Sequence, residues 1–360
     1  MLIAVDAKRY LFNRTGLGNY ARRWVHILAS RSTDTEILLC TPSVPKPAPE
    51  LPQHCRLFSA GIRKFLYREW FITHQLNRQA VDLYHGLSNE LPFSSRQMHC
   101  RKLVSIHDLI FKRYPNFYPL ADRTIYDLKS RYACKHADLI IATSETTAAD
   151  IQTYYRIPAA RIRVVYQDVA PDFFSLPEKF LPSMLNAPYF LFVSSFTGRK
   201  NHAVLIEALE RIHKQIDHHL VLAGAGGPTL ETCRRLAQSL GIGERVHFYP
   251  NISQEALLQL YRNADGFLLP SGFEGFGIPL AEAMAAQIPS AASDISVFRE
   301  LGRDTCLYFQ PGERDSVAEA MLRLLMPEQR AQLIPLMRER ARLFSADALW
   351  RNIKEVYGLC

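Results

Sequence analysis

The chain has 360 residues, 48% of them hydrophobic and 22% charged, a soluble globular composition long enough for two ordinary domains. Its formal net charge of +8 is unevenly spread: 25 Lys and Arg face 16 Asp and Glu over residues 1–180, against 18 and 19 over the remainder. A basic first half attracts anionic acceptors or an anionic membrane face, and with no recognisable nucleic-acid motif beside the charge, nucleic acid is not an expected partner.

Residues 2–6 predict a strand and 20–29 a helix, followed by a strand at 36–40. Helical spacing runs over 62–78, and a short buried strand follows at 83–85. The near-continuous apolar run 103–107 has the character of a buried parallel strand. A helix at 121–135, a strand at 139–143, a helix at 146–154 and a strand at 162–166 complete the first series. Alternation lapses around 175–188, where Leu-Pro-Glu-Lys-Phe-Leu-Pro-Ser reads as a linker. It restarts with strands at 189–193, 220–223, 246–249, 266–269 and 290–292, and helices between them. A last helix spans 346–359. Two βαβ series predict an α/β protein with two doubly wound domains, and ligands bind such sheets at the carboxyl ends of their strands. The seam between them is therefore the expected ligand cleft.

No apolar run reaches the roughly 20 residues of a membrane-spanning helix, and the N-terminus starts as a strand without a signal-peptide layout. Seven scattered cysteines without Cys-x-x-Cys spacing, and histidines without a His-x-x-x-His pair, point to reduced thiols in a cytoplasm and to no metal site. Residues Ile62–Ile72 mix aromatic and basic side chains at helical spacing. They read either as a core helix with long basic stems or as a helix lying on anionic lipid.

The most informative stretch is Pro270-Ser271-Gly272-Phe273-Glu274-Gly275-Phe276-Gly277-Ile278-Pro279-Leu280-Ala281-Glu282-Ala283-Met284. A strand, a glycine-punctuated turn and a helix start present backbone N–H groups and a positive dipole end to one spot, where a diphosphate binds readily. Glu274 and Glu282 cannot favour phosphate, so they suit hydroxyls; a nucleotide sugar has both parts. Eight residues apart, they would project about 80° from each other on one helix, so Glu274 is placed on the loop and Glu282 in the helix after Pro279, a residue suited to a helix start. The alternative is that both acids only complement the helix dipole.

The Glu-x7-Glu pattern closing in Glu-Ala-Met resembles the retaining glycosyltransferases of family 4, of GT-B fold. Matching segments follow in order along nearly the whole chain: Thr15-Gly16-Leu17-Gly18-Asn19-Tyr20-Ala21, Ile106-His107-Asp108, Ala137-Asp138 through Thr143-Ser144, and Gly198-Arg199-Lys200-Asn201. Departures are Gln287 where glycine is common, Ser194-Ser195 where Gly-Ser is common, and Arg299 where proline often precedes Glu300. The resemblance implies two Rossmann-like domains facing across a cleft. An acceptor domain would span 1–178, a donor domain 179–345 and a helix crossing back 346–360. It also implies that Glu282 holds ribose hydroxyls, that Glu274 and His107 contact the donor sugar, and that Ser271, Gly275, Phe276, Gly277 and Leu280 line the donor site. Gly16 and Gly18 would belong to a flexible loop whose backbone approaches the diphosphate, with glycine at 18 because a side chain would block it.

Arg199 and Lys200 can clamp a diphosphate without a metal, favouring the charge that builds as the nucleotide leaves. The reaction expected is retaining, metal-independent hexosyl transfer from a nucleotide diphosphate sugar to a hydroxyl of a glycan or lipid-linked acceptor, with no cofactor. GDP-mannose is favoured and a UDP-sugar is the alternative donor. A non-catalytic nucleotide-sugar-binding subunit is a second reading. A third, an NAD-dependent oxidoreductase suggested by Gly16-Leu17-Gly18, fits poorly. Its glycines come about ten residues after the first strand, where the dinucleotide fingerprint needs them at the strand end, and no acidic residue closes the second strand.

Overall fold

The structure is a computed structural model that describes residues 1–13, 15–47, 49–59, 71–175 and 184–359. It divides into two compact units, Met1–Asp168 with Ala346–Cys360, and Val169–Ser345.

The first unit holds a seven-stranded sheet of β1 (Leu2–Asp6), β2 (Glu36–Cys40), β3 (Cys55–Phe58), β4 (Leu83–Gly86), β5 (Arg101–Ile106), β6 (Leu139–Ala142) and β7 (Ile162–Val164). Their order is β3-β2-β1-β4-β5-β6-β7, parallel throughout. Alternating side chains feed two cores, one on each face of the sheet. Ala4, Leu38, Val104 and Ile140 enter one; Ile3, Val5, Ile37, Leu39 and Ile141 enter the other. The second core also takes Trp24 from the helix Gly16–Arg31, with Leu349, Ile353, Val356 and Tyr357 from the helix Ala346–Tyr357.

A buried hydrogen-bond chain crosses that core. The Trp24 indole N–H donates to the Tyr357 hydroxyl at 2.7 Å, and Tyr357 lies 2.7 Å from Nδ1 of His85. An indole can only donate, so Tyr357 turns its own hydrogen to His85. Burial, helped by nearby His107, pushes the His85 pKa down to about 3, so the ring is neutral. Its Nε2–H then faces Ser105 Oγ at 2.8 Å, and Ser105 meets the Tyr20 hydroxyl at 2.7 Å.

The second unit holds six parallel strands in the order β10-β9-β8-β11-β12-β13: β8 (Tyr189–Val193), β9 (His219–Gly224), β10 (Val246–Pro250), β11 (Gly266–Leu269), β12 (Ser290–Ser293) and β13 (Cys306–Phe309). Every residue of β8, β11 and β12 is buried, as a strand covered by helices on both faces requires. Both sheets reverse direction of growth once, between β1 and β4 and between β8 and β11. Those reversals are the switch points at which doubly wound sheets bind ligands.

The structure departs from the sequence expectations at several places. Strands β3 and β13 and the short helix Lys8–Phe12 were not anticipated. Gly16 and Gly18 open the helix Gly16–Arg31 instead of forming a flexible loop; the Gly18 N–H faces Thr15 O at 2.9 Å and Asn13 Oδ1 at 3.1 Å. A Cβ on Gly18 would sit 1.8 Å from the Asn13 carbonyl oxygen, so glycine there serves the chain's own packing. Of the Ile62–Ile72 stretch, residues 62–70 lie outside the described residues, as do 176–183 of the expected linker. No helix among the described residues is long and apolar enough to cross a membrane.

Candidate functional site

In the second unit, the loops leaving β8 and β11 carry the two charged groups of the switch point. The β8 loop ends in a turn, Gly198–Lys200, closed by Asn201 in the left-handed region at φ 51° before the helix His202–Ile212 begins. The β11 loop, from Pro270, runs into the helix Ile278–Ala285 through Gly277 at φ 98°, where a Cβ would also meet the Phe298 ring at 2.8 Å. Glycine is needed at 277 on both counts. Pro279 is the second residue of that helix, where its missing N–H costs nothing.

The loops are stitched together. The Gly272 N–H donates to Arg199 O at 3.1 Å, and Arg199 Nη1 lies 3.4 Å from Phe273 O. Glu274, 9% exposed, takes the Lys200 ammonium on Oε1 and Arg199 Nη1 on Oε2 at 3.2 Å. Burial alone would raise its carboxyl, but Lys200 and Arg199 outweigh burial and hold the pKa below the ordinary carboxylate range, with the Ser271 hydroxyl adding to the lowering. Two cations meet one carboxylate here, so the cluster carries a net positive charge beside a helix N-terminus.

Glu282 lies in the second turn of the helix, apart from that cluster in its contacts. The Tyr261 hydroxyl donates to its Oε2 at 2.7 Å. Burial pushes its pKa up to about 7, and the Tyr261 hydrogen bond only partly offsets this. Phe276 and Leu280, 3% and 0% exposed, point into the core, with Phe276 edge-on to Phe344 at 5.9 Å. These two positions can therefore meet a ligand only through the backbone.

In the first unit, His107 follows β5 directly and is buried. Its N–H donates to Asn89 Oδ1 at 2.8 Å, its carbonyl accepts from Thr143 and Thr147, and its ring packs edge-on to Tyr20 at 4.5 Å. Nε2 lies 2.9 Å from Leu87 O, an acceptor only, so that nitrogen carries the proton. Burial pushes the ring down to about 4, against the pull of the Leu87 carbonyl. His107 is thus a neutral imidazole whose Nδ1 lone pair can accept from a hydroxyl. It is not a proton donor at neutral pH.

The structure brings Arg199, Lys200 and Ser271 together around Glu274. Sequence reasoning missed Tyr261 and Asn89, whose partners lie 21 and 18 residues away with no local signal. Among the described residues no three His, Cys, Asp or Glu side chains stand together as metal ligands would.

Residues 14–173 match the family model for "Glycosyltransferase Family 4", and 178–340 that for "Glycosyl transferases group 1". O-antigen chain mannosyltransferase B of Escherichia coli is 26% identical over 339 residues, 87% of this chain and 88% of that protein. The serotype-specific mannosyltransferase WbdA of Escherichia coli is 25% identical over 233 residues, 60% of this chain; the match spans only 29% of WbdA's length. Sucrose-phosphate synthase from Thermosynechococcus elongatus superposes with a TM-score of 0.79 at 23% identity, covering 99% of this chain and 98% of that one. That likeness gives the fold, two Rossmann-like domains of GT-B type. With consecutive family models accounting for nearly the whole chain, the protein belongs to the group 1 glycosyltransferases of family 4.

Proposed function

We propose that the protein is a retaining, metal-independent hexosyltransferase that moves mannose from GDP-mannose to a hydroxyl of a glycan or lipid-linked glycan in surface polysaccharide synthesis. A UDP-sugar is the alternative donor. The reading places it in the cytoplasm, with its basic first half against the inner, anionic face of the membrane. The observation that carries it is the Lys200–Glu274–Arg199 cluster on the two loops beside the β8/β11 switch point. The mannosyltransferase names of two relatives support the choice of sugar.

In this reading Lys200 and Arg199 take the diphosphate at the dipole end of the helix Ile278–Ala285, lined by Ser271 and the backbone of Gly275, Phe276, Gly277 and Leu280. Glu274 exchanges part of its ion pairing for a sugar hydroxyl, and Glu282 accepts the ribose hydroxyls. Neutral His107 accepts from a sugar hydroxyl through Nδ1, and the helix start at Gly16 belongs to the same set. The bond from the anomeric carbon to the β-phosphate oxygen breaks, the acceptor oxygen bonds that carbon on the same face, and its proton passes to the departing phosphate oxygen. Lys200 and Arg199 favour the charge growing on that phosphate more than the ground state, which lowers the barrier.

Thermal-shift screening against GDP-, UDP-, ADP- and dTDP-sugars identifies the donor, followed by transfer and slow hydrolysis assays with that donor. Lys200→Ala and Glu274→Ala each lower turnover at least about 100-fold, and EDTA leaves the rate unchanged. Full activity in either variant, or loss with EDTA, refutes the assignment. Donor binding without any hydrolysis would instead favour a non-catalytic binding subunit.

A further inference from the structure

The helix Leu120–His136 exposes apolar side chains on the face opposite its own core contacts. Phe117, just ahead of it, is 49% exposed, Leu120 67%, Ile125 50% and Leu128 58%. At about 100° per residue, Leu120, Ile125 and Leu128 share one arc, and the buried Ser130, Ala133 and Cys134 project from the opposite side. Large aliphatic groups clustered on such a face are unusual on a protein that meets only water.

The same exposed arc continues to Lys135, about 10 Å further along the axis from Leu128. There the helix end opens onto a cavity of about 460 Å³ lined by Arg96, Lys102, Lys135, His136, Arg161 and, as its only carboxylate, Asp138. Part of this charge serves the fold: Lys102 pairs with Asp138 at 3.1 Å, and Arg161 donates to the Cys134 and Lys135 carbonyls that end the helix. A cationic surplus remains. Burial first, then Arg96, Lys135, Arg161 and Lys102, hold His136 below its usual pKa, as a positive local field requires.

We propose that this stripe, with apolar Leu120, Ile125 and Leu128 leading to the cationic cavity at Lys135 and Arg96, is a docking surface for an anionic lipid bilayer. Aliphatic side chains sink to the boundary of headgroups and acyl chains, and the cations beside them meet lipid phosphates. The inference rests on the membrane part of the proposed function and gives it a surface of its own. None of these residues belongs to the donor-binding set, so docking and chemistry are separable.

The test is co-sedimentation of the full chain with phosphatidylcholine vesicles with and without phosphatidylglycerol, beside Leu120→Ser/Ile125→Ser/Leu128→Ser and Arg96→Glu/Lys135→Glu variants. Thermal midpoint and hydrolysis of soluble donor serve as controls. The wild type is expected to bind only the anionic vesicles. Each variant is expected to lose at least about tenfold in vesicle affinity with both controls unchanged. Equal binding by the wild type and both variants overturns this surface while sparing membrane association. Failure of the wild type to bind any vesicle overturns the membrane reading and this inference with it, leaving the donor chemistry to its own assay.

Discussion

Replacing Glu282 with glutamine keeps the shape that accepts the Tyr261 hydrogen bond and removes the titration. Burial pushes this carboxyl up from 4.5 to about 7. The folded protein therefore holds the proton more tightly than the unfolded chain. The resulting stability is fully present below about pH 4.5 and is lost as pH rises through 7. At about 1.4 kcal/mol per pKa unit the whole shift corresponds to about 3 kcal/mol; the side chain is only partly buried, and solvent screening trims this to about 2 kcal/mol. Chemical denaturation at pH 5 and pH 8 should show the wild type losing about 2 kcal/mol more than Glu282→Gln over that interval. Other titrating groups cancel in the difference. Ribose hydroxyls donate more strongly to the ionised form of Glu282, so from pH 6 to pH 8 GDP affinity should gain more in the wild type than in the variant, the titration of the GDP phosphate being common to both. Parallel stability curves for the two proteins would refute the raised carboxyl.

Gly18→Ala should destabilise the first unit by about 2 kcal/mol or more, because its Cβ would overlap the Asn13 carbonyl, whereas Gly16→Ala, with open space around it, should be neutral or stabilising by about 0.5 kcal/mol. Thermal melts of the pair check this, and equal losses would contradict the packing account. Tyr357→Phe leaves the Trp24 indole and Nδ1 of His85 without their shared partner and should cost about 2 kcal/mol; an unchanged melting temperature would show that the chain of hydrogen bonds contributes little.

Much of the second unit was legible because its central strands are short unbroken apolar runs bounded by glycine and proline. Tyr189–Val193 and Gly266–Leu269 came out to the residue, and the loop-then-helix placement of Glu274 and Glu282 followed from Pro279 and the glycines before it. Strand β3 hid because Cys55–Phe58 sits at a sheet edge, half-buried and interrupted by Arg56, without the unbroken run of a central strand. The helix Gly16–Arg31 hid its start because Gly16 and Gly18 are poor helix formers. Only the approach of Asn13, set by the chain's path, accounts for Gly18. Likewise nothing local says that Lys200 and Glu274, 74 residues apart, share an ion pair. Neighbouring sheet positions bring them together, through a strand order that jumps from β8 to β11.

The lodging of Tyr357 between Trp24 and His85 bears on how the protein is made. The polypeptide that completes the core around Trp24 is translated only after all of Val169–Ser345. During synthesis the second unit can finish folding beyond the ribosome while the first still waits for its closing helix. Trp24, Val25 and Leu28 are then uncovered on that side for the time the intervening 177 residues take to emerge. That interval is when a nascent-chain chaperone would find its binding site, and when a premature stop ahead of Leu349 would leave a product with an open flank for the cell's proteases.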